Sequence, residues 1–286
     1  MNKQPVKLIE CPRDAMQGWP HFIPTEKKIG YINALLKVGF DTIDFGSFVS
    51  PKAIPQMADT KEVLKGLHID ESSSKLLAIV ANKRGAEEAV QYDEITYLGF
   101  PFSISETFQQ RNTNSSILSS FETVKEIQQL CVNRGKQLVV YISMGFGNPY
   151  GDPYDESIVF EWANKLAALG INIISLADTV GLSTKEQVFR VTKYVIDSLP
   201  GIEVGVHLHS APHNRYEKID AALKAGCTRY DAAIKGIGGC PMAGDALVGN
   251  MDTEFMLNHF TQAGYPVNID KSQLQLCNQI ASGIFI

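Results

Sequence analysis

The sequence predicts an α/β fold closed into a (β/α)8 TIM barrel, one domain over residues 1–286. Two observations predict it. Short runs rich in β-branched residues alternate with longer segments of helical spacing, and eight such runs occur in the 286 residues. Alternation of this kind builds a parallel sheet, and eight units favour closure over an open sheet. The second observation is a recurring stop. Lys37-Val38-Gly39, Ala168-Leu169-Gly170 and Lys224-Ala225-Gly226 each end a helical segment on the glycine that a left-handed cap favours, with a strand-like run close behind.

The strands are expected at 6–10, 42–45, 76–80, 94–98, 137–142, 172–176, 203–208 and 228–233. Between most of them, apolar residues fall at helical spacing. After Thr25 they are Ile29, Ile32, Leu35 and Leu36; after Asp155, Ile158, Val159, Trp162, Leu166 and Leu169; after Ser183, Val188, Val191, Val195 and Ile196. Each stripe makes one face that can pack on a sheet. Residues 99–123, rich in Ser, Asn and Gln, read as a long loop after the fourth strand. No composition break divides the chain.

Hydrophobic residues make up 44% and charged residues 20%, which supports a large core and argues against disorder. The formal net charge is -5 and no Lys/Arg block occurs, so neither nucleic acid nor an anionic membrane is the expected partner. The five cysteines, Cys11, Cys131, Cys227, Cys240 and Cys277, are odd in number, widely spaced and free of C-x-x-C, which fits a reducing compartment. With no signal or presequence pattern at the start and no apolar run of membrane length, a cytoplasmic location is expected.

A barrel enzyme builds its active site at the C-terminal ends of its strands, and several polar groups fall there. Arg13-Asp14 follows the first strand, either as site residues or as a solvated loop. His207-Leu208-His209 ends the seventh. Alternation turns both imidazoles to one side, roughly 6–7 Å apart along the strand, within reach of one metal ion. The bland alternative is two unrelated polar residues at a strand end. Gly236-Ile237-Gly238-Gly239-Cys240-Pro241, leading to Gly249-Asn250, is a backbone able to approach a ligand closely, with a thiol inside it. The same loop also reads as a phosphate cradle or a flexible link with an incidental cysteine. Asp44 on the second strand needs a partner if buried. Asp178 after the sixth is either a site acid or a turn residue. The other four cysteines lie in or beside apolar segments and read as structural. His21, His68, His213 and His259 read as loop or surface residues, and the Trp, Phe and Tyr positions as packing. One acid, two imidazoles and an amide oxygen form a mixed set suited to Mg2+ or Mn2+ with open positions for substrate oxygens. The absence of a thiolate cluster argues against structural zinc.

Taken together, C-P-R-D-A-M-Q (11–17), D-F-G-S-F-V-S-P-K (44–52), P-Q-M-A-D (55–59), S-L-A-D-T-V-G (175–181), V-H-L-H (206–209), G-I-G-G-C-P (236–241) and G-N (249–250) carry a resemblance. The chain resembles the hydroxymethylglutaryl-CoA lyase (HMG-CoA lyase) family, within the metal-dependent TIM-barrel lyases and condensing enzymes. S-F-V-S-P-K and G-x-G-G-C-P are its specific segments; P-R-D and H-x-H are shared with isopropylmalate and homocitrate synthases. The resemblance implies that Asp14, His207, His209 and Asn250 hold a divalent cation, Mg2+ or Mn2+. It implies that Arg13 steadies an enolate oxygen, that Cys240 protonates the departing acetyl-CoA carbanion, and that Asp44 and Asp178 serve catalysis or site integrity. The implied reaction turns (S)-3-hydroxy-3-methylglutaryl-CoA into acetyl-CoA and acetoacetate. The implied partner is a small-molecule acyl-CoA, and the implied assembly a homodimer.

The sequence departs from the family in three places. Asp44 stands where Glu is usual. Ser210-Ala211-Pro212-His213 replaces Asp-Thr-Tyr-Gly, and residues 143–149 lack two usual cysteines. The chain also ends at Ile286, ahead of the extension that carries a regulatory cysteine in some relatives, so that form of thiol control is not expected. The loop departures leave room for a different 3-hydroxyacyl-CoA or a 2-oxo acid as substrate. A barrel kept only for binding is disfavoured by the intact Arg13, Asp14, H-x-H, Cys240 and Asn250.

Overall fold

A computed structural model of the protein describes residues 4–239 and 248–286. Eight strands, β1 (Lys7–Glu10), β2 (Thr42–Ser47), β3 (Lys75–Ile79), β4 (Ile95–Ser103), β5 (Gln137–Ser143), β6 (Ile173–Asp178), β7 (Glu203–Leu208) and β8 (Arg229–Ala232), pair in chain order and close as β1 meets β8. Every pairing is parallel. The expected (β/α)8 barrel is the fold, with each predicted strand present and its ends moved by a few residues.

Alternation along the strands separates two cores. Leu77, Ile79, Tyr97, Val139, Tyr141 and Ile173 fill the barrel interior. Their neighbours, such as Leu76, Leu98, Val140, Val206 and Tyr230, face outward into the layer shared with the helices. Helices Thr25–Leu36, Glu156–Ala167 and Lys185–Ser198 carry the apolar stripes read from the sequence. Thr184 starts the last of these with a full capping box closed by Gln187. Among the described residues, no helix is long and apolar enough to cross a membrane.

Residues 99–123 are not the expected loop. β4 continues to Ser103, and helices Glu106–Thr113 and Ile117–Asn133 follow. The polar residues that mimic a loop are caps: Ser105 accepts from Phe108 N and Ser116 from Ser119 N. Gln109 is buried, and its Oε1 accepts from Ser103 N at 2.8 Å, tying the helix to the strand end. His259 is likewise not a surface residue. It lies 8% exposed in helix Thr253–Gln262, edge-on to Tyr216.

Glu10 pins the barrel seam. It points outward from β1, fully buried, and accepts from Ile234 N at 2.8 Å and from Thr253 Oγ1 at 2.6 Å. Burial pushes its carboxyl up to about 8, against the lowering effect of those two hydrogen bonds. The fold therefore favours the protonated form. That contribution is complete below the ordinary value of 4.5 and is lost as pH rises through about 8. Relative to Glu10→Gln, the wild-type Tm is expected to fall by several degrees between pH 6 and pH 9, since each kcal/mol is worth roughly 2–4 °C at this chain size. Parallel melting curves for the two proteins across that window contradict the assignment.

Candidate active site at the C-terminal rim

The rim residues come from four strand ends. Arg13 and Asp14 lie on the short helix Pro12–Gln17 that leaves β1, with Pro12 at its first position. His207 faces the barrel interior from β7, and Leu208 faces the outer core, as alternation requires. His209 follows just beyond the strand. The two Nε2 atoms stand 3.2 Å apart, and Asp14, His207 and His209 each bring a ligand atom within 4.8 Å of the others. The expected H-x-H geometry and the acid from β1 thus converge. Asn250 forms an isolated antiparallel bridge with His209, and its Nδ2 donates to Asp14 Oδ2 at 2.7 Å and to Ile237 O at 2.9 Å. Gly238 explains how the loop after β8 reaches this point. Its φ is +100°, and a Cβ there would meet Asn250 Nδ2 at 2.7 Å and Asp14 O at 2.8 Å. A side chain is excluded both by the backbone and by the neighbours.

Asp231, on β8, is the register partner of His207 on β7, so the two side chains meet inside the barrel. Asp231 Oδ2 lies 3.1 Å from His207 Nδ1. A carboxylate holding Nδ1–H leaves the Nε2 lone pair for a cation. Burial alone would lower the His207 pKa, but the hydrogen bond and charge of Asp231 outweigh it and hold it above its ordinary value. Burial, with the His207 charge beside it, drops His209 to about 4, so that imidazole is neutral at pH 7. Burial would raise Asp14, yet Arg13, then the two histidines and Asn250, hold it below the usual carboxylate range. A carboxylate and a neutral imidazole converging with a second, carboxylate-oriented imidazole make an O/N donor set that fits a divalent cation with open positions. Cys11 also brings its Sγ within 4.8 Å of ligand atoms of His207 and Asp231; burial, with the negative charge of Asp231, raises its thiol well above the ordinary value.

Arg13 answers the cost of burying Asp44. Its Nε and Nη2 donate to the Asp44 carboxylate, the shorter bond being 2.5 Å, and Nη1 donates to Asp14 Oδ1 at 3.1 Å. Burial works against the guanidinium charge, and Asp44 and Asp14 overcome it. Burial also pushes Asp44 up to about 6 in spite of Arg13, which still leaves it a carboxylate at neutral pH. Above these groups a cleft opens, with an apolar wall of Val49, Ala53, Ile54, Ile79, Ala81 and Phe108 and polar groups from Asn112, Ser143 and Thr179.

Asp178 is not part of that cleft; its neighbours Ala177 and Thr179 line it instead. The Asp178 carboxylate accepts from Ser183 N at 3.1 Å, Ser183 Oγ at 2.5 Å and Lys218 Nζ at 2.6 Å. Cys240 lies outside the described residues. Sequence reasoning missed Asp231, Lys218 and the pocket face of Tyr141. For Asp231 a signal existed: it is a carboxylate on a barrel strand, the same feature that singled out Asp44.

Comparison with known proteins gives a consistent result. The HMGL-like family model matches residues 6–280. The mitochondrial hydroxymethylglutaryl-CoA lyase of Mus musculus is 34% identical over 259 residues, covering 88% of this chain and 78% of its own. The hydroxymethylglutaryl-CoA lyase of Bacillus subtilis is 32% identical over 263 residues, covering 92% of this chain and 87% of its own. A crystal structure of the Bacillus subtilis HMG-CoA lyase superposes with a TM-score of 0.92 at 30% identity, covering 99% of this chain and 95% of that one. An HMG-CoA lyase from Acinetobacter baumannii, in complex with coenzyme A and 3-methylmalate, gives 0.91 at 32% identity, covering 98% and 91%. With a family model spanning nearly its whole length, a closed eight-stranded barrel and HMG-CoA lyases as its curated relatives, the chain belongs to the HMGL-like family.

Proposed function

We propose that this protein, as one barrel domain over residues 1–286, is a divalent-cation-dependent carbon–carbon lyase that cleaves (S)-3-hydroxy-3-methylglutaryl-CoA to acetyl-CoA and acetoacetate. The observation that carries this reading is the convergence of Asp14, His207 and His209 within 4.8 Å beside the Arg13–Asp44 pair, at the floor of the cleft. In the proposed reading Asp14, His207, His209 and Asn250 hold Mg2+ or Mn2+. When bound, such an ion supplies positive charge that lowers the pKa of the substrate's tertiary hydroxyl and fixes its orientation.

The chain's own groups account for the rest of the reaction. The tertiary hydroxyl loses its proton to a carboxylate or imidazole of the rim, the bond between C2 and C3 breaks, and C3 becomes the ketone of acetoacetate. The bond's electron pair passes to C2 and the thioester carbonyl as an enolate. Arg13 carries permanent charge, and Asp44 and Asp14 fix its plane, so it meets the enolate oxygen without reorganising. The Cys240 thiol supplies the proton that turns C2 into the methyl group of acetyl-CoA. Asp44 acts by orienting Arg13, and the apolar wall receives the methyl-bearing part of the acyl group and excludes water. A cytoplasmic location and a homodimer belong to the same reading.

The apolar wall also motivates a second reading, in which a related 3-hydroxyacyl-CoA with a larger 3-alkyl group is the better substrate. The test is a panel of 3-hydroxy-3-alkylglutaryl-CoA esters with products identified by mass spectrometry. HMG-CoA is expected to give the highest kcat/KM. A larger homologue exceeding it by tenfold or more moves the assignment to the second reading.

A further inference from the structure

Lys218 is a buried cation with no place in the reaction above. It rises from helix Arg215–Lys224 behind β7, and its side chain is 2% exposed. Its three ammonium hydrogens reach three acceptors: Asp178 Oδ2 at 2.6 Å, Gly181 O at 3.0 Å and His209 O at 2.9 Å. The first two belong to the end of β6 and the turn after it. The third is the backbone carbonyl of a proposed metal ligand at the end of β7.

We propose that Lys218 is a positioning residue that clamps the ends of β6 and β7 together and thereby sets where the His209 imidazole stands; the metal part of this inference rests on the function proposed above. Burying an ammonium group is costly unless its partners are well placed. An apolar residue of similar length could fill the same space, but it would leave one carboxylate and two carbonyls without their donor. Asp178 supports the same account. Its oxygens are held by Ser183 and Lys218, and it faces away from the cleft, so the pair works as a strut rather than as an acid or base. The strut extends to the cleft wall through the next residue. Thr179 lines the cleft, and its Oγ1 accepts from Met144 N at 2.9 Å, where the chain leaves β5 with a φ of +59°.

The test uses the full-length protein with Lys218→Met, and with Lys218→Met/Asp178→Asn, which removes the charge on both sides and guards against failure to fold. Two readouts are taken: Mn2+ affinity by calorimetry, and amide hydrogen exchange across residues 179–183 and 209–211. In whichever variant folds, the Mn2+ Kd is expected to rise by about 10- to 100-fold, the range known for residues that orient ligands. Exchange in both segments is expected to rise by about tenfold or more, while the rest of the barrel keeps its protection. A change confined to stability, with Mn2+ affinity within twofold of wild type, overturns the proposal. So does unchanged exchange at both segments, a result that holds even if the wild type were found to bind no Mn2+.

Discussion

His207→Ala is expected to lose at least about a thousandfold in kcat and to bind Mn2+ too weakly to detect by calorimetry. A Lewis-acid cation supplies several kcal/mol of charge stabilisation in such a reaction, and each tenfold in rate corresponds to about 1.36 kcal/mol. His207 is a stringent position because it serves twice. Its Nε2 meets His209 and the Asp14 cluster, and its Nδ1 engages Asp231. The substitution also leaves a buried carboxylate short of a partner, at a cost of about 1–3 kcal/mol or more. Circular dichroism and the melting temperature therefore accompany the kinetics. A folded His207→Ala protein that cleaves HMG-CoA within tenfold of wild type contradicts the metal assignment.

Arg13→Met is expected to lower kcat by about 100- to 1000-fold, the range for removing one preorganised donor to a developing oxyanion. It is also expected to destabilise the protein by about 3–5 kcal/mol, because Asp44 is left as a buried charge without its counter-ion. The two effects separate in Arg13→Met/Asp44→Leu, where the Asp44 charge is gone and Asp14 keeps its hydrogen bonds from Gln17 and Asn250. Its melting temperature is expected to recover most of the loss while kcat stays low. Recovery of both would make Arg13 a structural partner of Asp44 and nothing more.

The barrel was legible because its signals are local and repeated. Strand runs and Gly stops recur unit by unit, and the H-x-H pair declares its shared face through alternation alone. Residues 99–123 read as a loop because Ser105 and Ser116, which cap helices, belong to the same residue types that fill loops. Arg13 and Asp14 were found by position, but their roles depend on distances across the barrel that no spacing encodes. The same holds for Lys218. On its helix it reads as one more charged residue in R-Y-E-K-I-D, and only the fold carries its ammonium group to the carbonyl of His209. Asp178 shows the converse: its sequence context matches a site acid, while Ser183 and Lys218 take up its oxygens. Asp231 does carry a signal in the sequence, since its strand position marks it as a carboxylate needing a partner inside the barrel.

The most direct measurement is a coupled assay of purified protein with HMG-CoA, run in Mn2+ or Mg2+, after removal of the cation with a chelator, and after adding it back. The account predicts acetyl-CoA and acetoacetate in equal amounts, formation that stops on chelation, and recovery on return of the cation. Equal turnover with and without the chelator, or no acetoacetate under either condition, would contradict it.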